Sequence, residues 1–290
     1  MFPKITKKNT RTLLSLVSIA TASLSFINTA NATIVEIKTS LSDESIKVNL
    51  FDKTTPKTVK NFLNYVDTNH YTNSVVHRVS PGFVVQAGGF EFSGTWPLTP
   101  LVPNAPVVNE PIYSNVKGTI AMAKKGNDIN SATNQWFFNL KDNNDTSDAN
   151  NLDRQNGGFT VFGQVIEGMD IVEEIALIQN LCTNEGLIGI PMLMEAGQTC
   201  LDMGSPGMEN FVVIEQITII DSSEVTDSGL NPLLSKYPDS DGDGVKDIDD
   251  AFPSDPNKSV PDVEESGGSI AWLSLVMLAL VSTRKRFIKS

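Results

Sequence analysis

The chain has 290 residues, of which 40% are hydrophobic and 19% charged, and its formal net charge is −12 at pH 7. This length and composition allow one sizeable globular core with smaller appendages. The basic residues concentrate at the two ends, so residues 33–282 hold 14 lysines and arginines against 34 acidic residues. A body that is so acidic argues against nucleic-acid binding, which requires a basic surface.

The first 32 residues have the features of an export signal. Four basic residues and no acidic one precede the apolar run LLSLVSIATASLSFI, and Ala30-Asn31-Ala32 matches a small-x-small cleavage site. An uncleaved membrane anchor is the alternative, but the run is shorter than the roughly 20 residues that span a bilayer. We therefore expect signal peptidase to cut after Ala32 and the mature chain to begin at Thr33.

Regular patterns begin at Thr33. The stretches TIVEIKT and SIKVNLF alternate apolar and polar residues, which predicts two half-buried strands joined by a polar turn. Pro56 occupies a permitted first-turn position and opens the amphipathic helix PKTVKNFLNYVDT. The stretch SVVHRV then predicts a strand, which leads into the Pro-Gly turn of HRVSPGFVVQAGG.

The strand pattern continues beyond a loop rich in Pro, Asn and Gly over 91–117. Three strand-like runs follow, namely GTIAMAKK, QWFFNL and GGFTVFGQV. The stretch EGMDIVEEIALIQ predicts a second amphipathic helix, and FVVIEQITII predicts a closing strand. Many short strands with only two helices predict a closed β-barrel.

An irregular insert over 180–210 separates the second helix from the closing strand and carries the only two cysteines, Cys182 and Cys200. Loops of this length usually have a function or are held by a covalent cross-link. In an oxidising compartment the cysteines could form a disulfide, which would remove about 3 kcal/mol of unfolded-state entropy. The alternative is two separate thiols. With two histidines and no CxxC spacing, the sequence offers no histidine–cysteine zinc cluster.

Ordered blocks between about Ile34 and Ile220 resemble the cyclophilin family of peptidyl-prolyl isomerases, most closely the bacterial exported kind. The resemblance implies a mainly β fold, a closed eight-stranded antiparallel barrel capped by two α-helices, and catalysis of X–Pro rotation without a cofactor. The blocks that carry it are HRVSPGF, Gln86, Gly88-Gly89, GTIAMA, SATNQWFF, VFGQV and GMD.

The resemblance also implies which residues form the site. Arg78 matches the arginine that donates a hydrogen bond to the prolyl nitrogen as the amide twists, a role open to a side chain that stays protonated. Gln86 matches the glutamine that hydrogen-bonds the substrate and helps orient the arginine. The positions that match the proline pocket are Phe83, Val84, Phe137, Leu152 and Phe159, and those along the peptide groove are Ala123, Lys124 and Gln135.

The chain departs from the family pattern at three positions of the pocket. Asn151 stands where many cyclophilins have the tryptophan that supports cyclosporin binding, so we expect weak cyclosporin sensitivity. Val84 replaces the pocket methionine, and Phe159 replaces the pocket histidine in an alignment that crosses the extra residues of DRQNGG. These changes alter the pocket wall but leave the arginine in place.

The composition changes after 221 to a polar linker and then to an aspartate-rich stretch. The pattern D-x-D-x-D-G-x-x-D-x-x-D places alternate oxygens on a turning loop, as in calcium-binding loops. It resembles a thrombospondin type 3 repeat or an EF-hand-like loop, and a solvated acidic linker is the alternative. The candidate Ca²⁺ ligands are Asp239, Asp241, Asp243, Val245 through its carbonyl, Asp247 and Asp250.

The segment from Gly267 to Thr283 carries no charge and approaches the lower length limit for a bilayer-spanning helix. Its Gly-Gly pair, apolar run and basic RKR cluster resemble the GlyGly-CTERM sorting tag of certain Gram-negative bacteria. A rhomboid-type protease is thought to cut that tag, and a simple C-terminal anchor is the alternative. We expect the protein in the periplasm or at the cell surface, at least transiently anchored to the membrane.

Together these features predict an exported, monomeric cyclophilin that isomerises X–Pro bonds in proline-containing polypeptides during their folding. A barrel that binds such segments without significant turnover is the alternative function. A third hypothesis is that the acidic loop is the functional part of the protein, as a calcium-structured, adhesive stalk, and that the barrel is incidental. The predicted segments are a signal peptide (1–32), the cyclophilin-like domain (33–221), a linker (222–238), the calcium-loop segment (239–257), a flexible acidic linker (258–266) and the tag with its apolar helix (267–290).

Overall fold

The computed structural model describes residues 33–145, 147–201, 204–223, 226, 229–237, 245, 252, 255 and 257–260. The predicted signal peptide and sorting tag lie outside the described residues, and so do the candidate calcium ligands apart from Val245. Within the described residues, no helix is both long and apolar enough to cross a bilayer.

The described part of the chain is mainly β, with two α-helices. Helix α1 spans Pro56–Asp67 and helix α2 spans Met169–Ala176. The strands are β1 (Ile34–Thr39), β2 (Ser42–Leu50), β3 (Ser74–Val75), β4 (Arg78–Ser80), β5 (Val84–Ala87), β6 (Phe90–Glu91), β7 (Thr99–Pro100), β8 (Thr119–Met122), β9 (Trp136–Asn139), β10 (Val161–Glu167), β11 (Leu181–Asn184), β12 (Leu187–Pro191) and β13 (Val213–Asp221).

Eleven of these strands form one curled antiparallel sheet, in the order β4-β5-β9-β8-β10-β2-β1-β13-β3-β6-β7. The mainly β architecture with two helices is therefore confirmed. The expected closed barrel of eight strands is wrong, because the sheet has eleven strands and, in the described part of the chain, no ladder joins its terminal strands β4 and β7.

The run SVVHRV gives the physical reason for this difference. The sequence predicts one strand, but Val76 and His77 interrupt it and leave β3 and β4 as separate pieces. β3 pairs with β13, whereas β4 pairs with β5. The two pieces are consecutive in the chain yet lie far apart in the strand order, so the sheet has to curl to bring them together.

Helix α1 begins at Pro56, as the sequence predicts, and buries an apolar stripe against the sheet. Phe62 and Tyr65 of this stripe are almost completely buried in the main core. Helix α2 is shorter than its sequence pattern predicts, because it ends at Ala176 and the next residue, Leu177, is 70% exposed.

The strands that carry the candidate site separate two apolar clusters. Because neighbouring side chains of a strand point to opposite faces, Val85, Met122 and Phe138 pack into the main core. Their neighbours Val84, Ala121 and Phe137 pack into a second cluster, here called the outer-face cluster. Its buried members are Phe51, Val84, Ala121, Phe137, Leu152 and Val161, and Phe83, Tyr113, Ala123, Phe159 and Leu230 pack against them.

The insert over 180–210 is more regular than its sequence predicts. Its strands β11 and β12 form a separate two-stranded sheet. Glu185 and Gly186 at the turn have φ values of 43° and 88°, in the left-handed region that hairpin turns require. Cys182 in β11 is bonded to Cys200. The disulfide thus joins the hairpin to the loop that follows it.

Candidate active site

Arg78 lies on β4 directly opposite Gln86 of β5. Its Nη1 atom donates a long hydrogen bond, 3.4 Å, to Oε1 of Gln86. Burial lowers the pKa of the half-buried Arg78 guanidinium from its usual value, but an arginine stays protonated in proteins. Among the described residues, no carboxylate forms an ion pair with Arg78. The guanidinium is therefore a cationic donor whose partner is a neutral amide.

Gln86 connects the arginine to Gln135. Its Nε2 atom donates to Oε1 of Gln135 at 2.9 Å, so the three side chains form one hydrogen-bonded row. The carbonyl of Gln135 in turn accepts from the backbone N–H of Ala123 at 2.9 Å. Gly89 makes room for the row, because a Cβ at this position would lie 2.6 Å from the Gln135 side chain. Gly89, three residues after Gln86, thus has a packing role.

The predicted proline-pocket residues come together in the outer-face cluster beside this row. Val84, Phe137 and Leu152 are buried members, and Phe83 and Phe159 pack against them. The rings of Phe137 and Phe159 meet edge to face with their centroids 5.9 Å apart. The structure therefore brings an apolar wall and a cationic donor to one face of the sheet.

Asp153 holds the loop that supplies part of this wall, and sequence reasoning missed it. The carboxylate is buried, although Leu152 beside it in the chain packs into the outer-face cluster. It accepts hydrogen bonds from the Ser114 hydroxyl and from the backbone and side-chain nitrogens of Asn115, at 2.7 and 3.0 Å. Because 38 or more residues separate these partners in the chain, no local pattern could have revealed them.

Lys124 follows β8 and connects this strand to the loop that contains Asp153. Its Nζ atom donates to the carbonyl oxygens of Asn156 and Gly158, at 2.8 and 2.6 Å, and lies 5.0 Å from the ring centroid of Phe159. Burial lowers the pKa of Lys124 to about 8, and the nearby Asp128 raises it only in part. The amine therefore changes its charge near physiological pH while in contact with the pocket wall.

A groove of about 260 Å³ opens beside the hydrogen-bonded row. Backbone and side chains from three separated stretches of the chain converge there, and no acidic residue lines the groove. This groove adjoins the apolar wall, because Ala123 lines the groove and also packs against the outer-face cluster. Its lining residues are Gln86, Ala123, Lys124, Lys125, Ser131, Thr133 and Gln135.

His77 lies in the interior and is unsuited to proton transfer near neutral pH. It is 2% exposed, and its ring packs against Phe90 with the centroids 4.8 Å apart. Burial lowers the pKa of His77 to about 4, and the Gln135 side chain and the Val75 backbone offset this lowering only in part. Its Nδ1 atom has no hydrogen-bond partner among the described residues. The histidine therefore stays neutral in the pH range where isomerisation would be assayed.

The insert lies against β4, the strand that carries Arg78. Gly189 of β12 lies so close to β4 that an added Cβ would be 2.5 Å from the carbonyl oxygen of Val79. The insert residues Cys182, Ile190 and Met192 pack with Val75, Phe92, Leu98, Phe211 and Val213 in a third apolar cluster, which is separate from the outer-face cluster. The insert is therefore placed to support β4, and its apolar residues do not contribute to the pocket wall.

No metal centre is seen in the described part of the chain, where no three His, Cys, Asp or Glu side chains are grouped as ligands. Of the six candidate calcium ligands, only Val245 is among the described residues.

Comparisons with known proteins show which sequences and structures this chain is similar to. Residues 34–187 match the model of the family described as cyclophilin type peptidyl-prolyl cis-trans isomerase/CLD. A solved structure of a cyclophilin type isomerase from Cryptosporidium parvum aligns with 66% of this chain and 99% of its own, at 20% identity and a TM-score of 0.46.

Curated relatives are more similar in sequence. A peptidyl-prolyl cis-trans isomerase of Acinetobacter baylyi is 42% identical over 50% of this chain and 72% of its own length. Isomerase B of Escherichia coli is 39% identical over 45% of this chain and 77% of its own. The chain belongs to the cyclophilin family and is a cyclophilin-type peptidyl-prolyl cis-trans isomerase.

Proposed function

We propose that Arg78 catalyses rotation about X–Pro bonds by donating a hydrogen bond to the prolyl nitrogen. Amide resonance sets a rotation barrier of about 18–20 kcal/mol, which makes the uncatalysed reaction slow. As the bond twists, the nitrogen loses conjugation and its lone pair becomes a hydrogen-bond acceptor. A preorganised cationic donor stabilises that twisted state, and no bond is made or broken.

The neutral partner of Arg78 is the observation that carries this proposal. A guanidinium neutralised by a carboxylate would be a weaker donor, whereas the long bond to Gln86 orients the group and leaves most of its donors available. Gln86 is thus proposed to orient the arginine and to hydrogen-bond the substrate. The catalytic mechanism uses no cofactor.

The apolar wall is proposed to grip the proline ring while the preceding carbonyl swings. Phe137 and Leu152 supply buried surface for the ring, and Phe83, Val84 and Phe159 complete the wall. Gln135, Ala123 and Lys124 line the adjoining groove, where an extended peptide would bind through backbone hydrogen bonds. Proline-containing polypeptides are therefore the proposed substrates.

A protease-coupled assay with a proline tetrapeptide tests the catalytic role. We expect Arg78→Ala to lower kcat/KM about 100-fold or more, as the loss of a preorganised donor does elsewhere. Arg78→Lys keeps the charge but loses the planar fork, and we expect an intermediate rate. Equal rates for wild type and Arg78→Ala would overturn the assignment. Negligible rates for both, with retained peptide binding, would support the alternative of a binding module.

We further propose that the protein works outside the cytoplasm, where it assists the folding of exported proteins. The bond between Cys182 and Cys200 supports this, because disulfides persist in oxidising compartments. The basic and apolar start of the sequence with Ala30-Asn31-Ala32 supports cleavage by signal peptidase. The mass of the protein recovered from the periplasm and surface of its host tests cleavage and disulfide together. A full-length, reduced cytoplasmic protein would contradict the proposal.

The aspartate-rich stretch is proposed to bind Ca²⁺ weakly, in the affinity range of extracellular modules. Its spacing of acidic oxygens around a glycine supports this. Calorimetric titration of the exported protein should show binding in the millimolar range that the double variant Asp241→Asn, Asp243→Asn abolishes. Asp262→Asn, outside the pattern, is the matched control. Absence of binding by the wild type would leave the stretch a solvated linker.

The C-terminal segment is proposed to act as a membrane-anchored sorting tag. The Gly-Gly pair, the uncharged run and the basic cluster support a transient anchor that a rhomboid-type protease removes. The C-terminal peptide masses of membrane and released fractions test this, since an uncut tag in all fractions would favour a permanent anchor. The protein is proposed to be monomeric and to bind no nucleic acid, which size-exclusion chromatography with and without DNA tests.

A further inference from the structure

The polypeptide that follows the last strand returns to the domain and packs beside the candidate active site. We call its described residues, Thr226 and 229–237, the strap. The strap lies beyond the family match, which ends at residue 187. The family match therefore does not cover these contacts.

Backbone hydrogen bonds fix the strap to residues 112–114. The N–H of Ser114 donates to the carbonyl of Leu233 at 2.8 Å, and the N–H of Ser235 donates to the carbonyl of Ile112 at 2.9 Å. Tyr113 and Leu234 form an antiparallel bridge between these bonds. This short ladder fixes the register of the strap against residues 112–114.

A second attachment fixes the start of the strap. The side chain of Asn49, which is buried, donates through Nδ2 to the carbonyl of Thr226 at 2.8 Å. The Thr226 hydroxyl returns a hydrogen bond to Oδ1 of Asn49 at 3.2 Å. Between the two attachments, Leu230 packs against the outer-face cluster that contains the proline-pocket residues.

The segment held by the strap is also the one that Asp153 binds. Ser114 and Asn115 donate to the Asp153 carboxylate, and Nδ2 of Asn115 also donates to the carbonyl of Phe159 at 3.0 Å. Leu152 and Phe159 are wall residues of the pocket. A continuous set of contacts therefore runs from the strap through residues 112–115 to the wall that faces the proline ring.

We propose that the strap is a positioning element of the isomerase site, with Leu230 as its principal side chain. It holds residues 112–115 from outside while Asp153 holds them from inside, and this fixes Leu152 and Phe159 at the distance that the proline ring requires. The proposal rests on the isomerase activity assigned to this site. Because the wall binds the ring, loosening it should raise KM for the peptide more than it lowers kcat.

Leu230→Ala in the full chain tests the proposal against a matched control. Leu234→Ala makes the same chemical change on the strap at a side chain that is 62% exposed. We expect Leu230→Ala to lower kcat/KM about threefold to tenfold, mainly through KM, and Leu230→Met to restore most of it. Leu234→Ala should stay within about twofold of the wild type. Leu230→Val is the milder variant if Leu230→Ala folds poorly.

Amide hydrogen exchange gives a readout that does not depend on activity. The Ser114 and Ser235 amides donate across the ladder, so Leu230→Ala should speed their exchange, and also that of the backbone around Asp153, more than Leu234→Ala does. Unchanged kcat/KM in Leu230→Ala, with Arg78→Ala inactive, would overturn the strap proposal and leave the isomerase assignment intact. Full activity in Arg78→Ala would instead contradict the catalytic proposal itself.

Discussion

The Nζ atom of Lys124 lies over the ring of Phe159 and donates to the carbonyl oxygens of Asn156 and Gly158. One amine therefore connects the peptide groove to the pocket wall. Such a cation–π contact contributes about 0.5–2 kcal/mol only while the amine is protonated. Burial lowers the pKa of Lys124 to about 8, which places the change of charge within the range of an enzyme assay.

We therefore expect kcat/KM to fall by about twofold to fivefold as pH rises through 8, because the protonated form that holds Phe159 is present below that pH and lost above it. Lys124→Met should give a flat profile between pH 7 and 9, close to the high-pH limit of the wild type. Lys141→Met, on an exposed lysine paired with Asp148, serves as the control and should keep the wild-type profile. A wild-type profile without an inflection near pH 8 would contradict the role of this amine.

Asp153→Asn is expected to destabilise the domain and to weaken catalysis together. Both oxygens of the buried Asp153 carboxylate accept hydrogen bonds, from Ser114 and Asn115. In the variant, the NH₂ group of the amide replaces one of these oxygens and meets one of the two donors. The free energy of unfolding should fall by about 1–3 kcal/mol, measured by urea denaturation. Asp43→Asn, at an exposed position, should change it by less than about 0.5 kcal/mol. Equal stability of the two variants would show that the buried network contributes nothing.

The buried His77 predicts a loss of stability in acid. Its pKa is about 4 in the folded protein and about 6.5 in the unfolded chain, so the unfolded state binds the proton more readily between these values. The stabilising contribution is complete above pH 6.5 and falls by roughly 3 kcal/mol as pH drops towards 4. His77→Phe keeps a ring against Phe90. In this variant the difference between the unfolding free energies at pH 7 and pH 4.5 should be smaller than in the wild type. Parallel pH dependences for the two proteins would contradict this.

Thr33 and Asp52 predict an effect of signal removal on stability. The backbone nitrogen of Thr33 lies 2.8 Å from one carboxylate oxygen of Asp52, and its hydroxyl lies 2.9 Å from the other. Cleavage after Ala32 would turn this N–H into an ammonium group and create an ion pair. A chain that begins at Thr33 should therefore be about 0.5–1 kcal/mol more stable at pH 7 than one that retains Ala-Asn-Ala. Asp52→Asn should remove most of that difference, and the difference should also vanish above the amine pKa near pH 8.

Weak cyclosporin sensitivity is expected from Asn151. The structure buries this side chain, whose Nδ2 donates to the carbonyls of Asn144 and Asp145, so it supports the loop and offers no indole to a ligand. Isomerase activity should persist at cyclosporin concentrations that inhibit a family member with tryptophan at this position by more than about 90%. Inhibition of both proteins at the same concentration would contradict the prediction.

Residues with a local signature could be placed from the sequence. Pro56 and the apolar spacing after it predict α1, because a helix repeats every 3.6 residues whatever its tertiary partners. Arg78 and Gln86 follow from the resemblance of HRVSPGFVVQAGG to the cyclophilin motif, whereas their pairing across β4 and β5 is a finding of the structure.

Long-range relationships could not be placed in the same way. The division of SVVHRV at Val76 and His77 depends on which strands pair with its two halves, and neither half differs in pattern from a continuous strand. Likewise, Asp153 and Leu230 lie in polar stretches that read as loops, and their partners are distant in the chain. The strap appears in the sequence only as a linker, because its backbone hydrogen bonds leave no pattern of side chains.

The position of β13 in the sheet determines which fragments of this protein can be expressed on their own. The family match stops at residue 187, yet β13 (Val213–Asp221) lies between β1 and β3 and pairs with both. A fragment ending with the match would leave two unpaired strand edges, and such edges recruit other chains into aggregates. The shortest piece expected to remain soluble on its own must therefore continue through Asp221, with the whole disulfide-bonded insert retained.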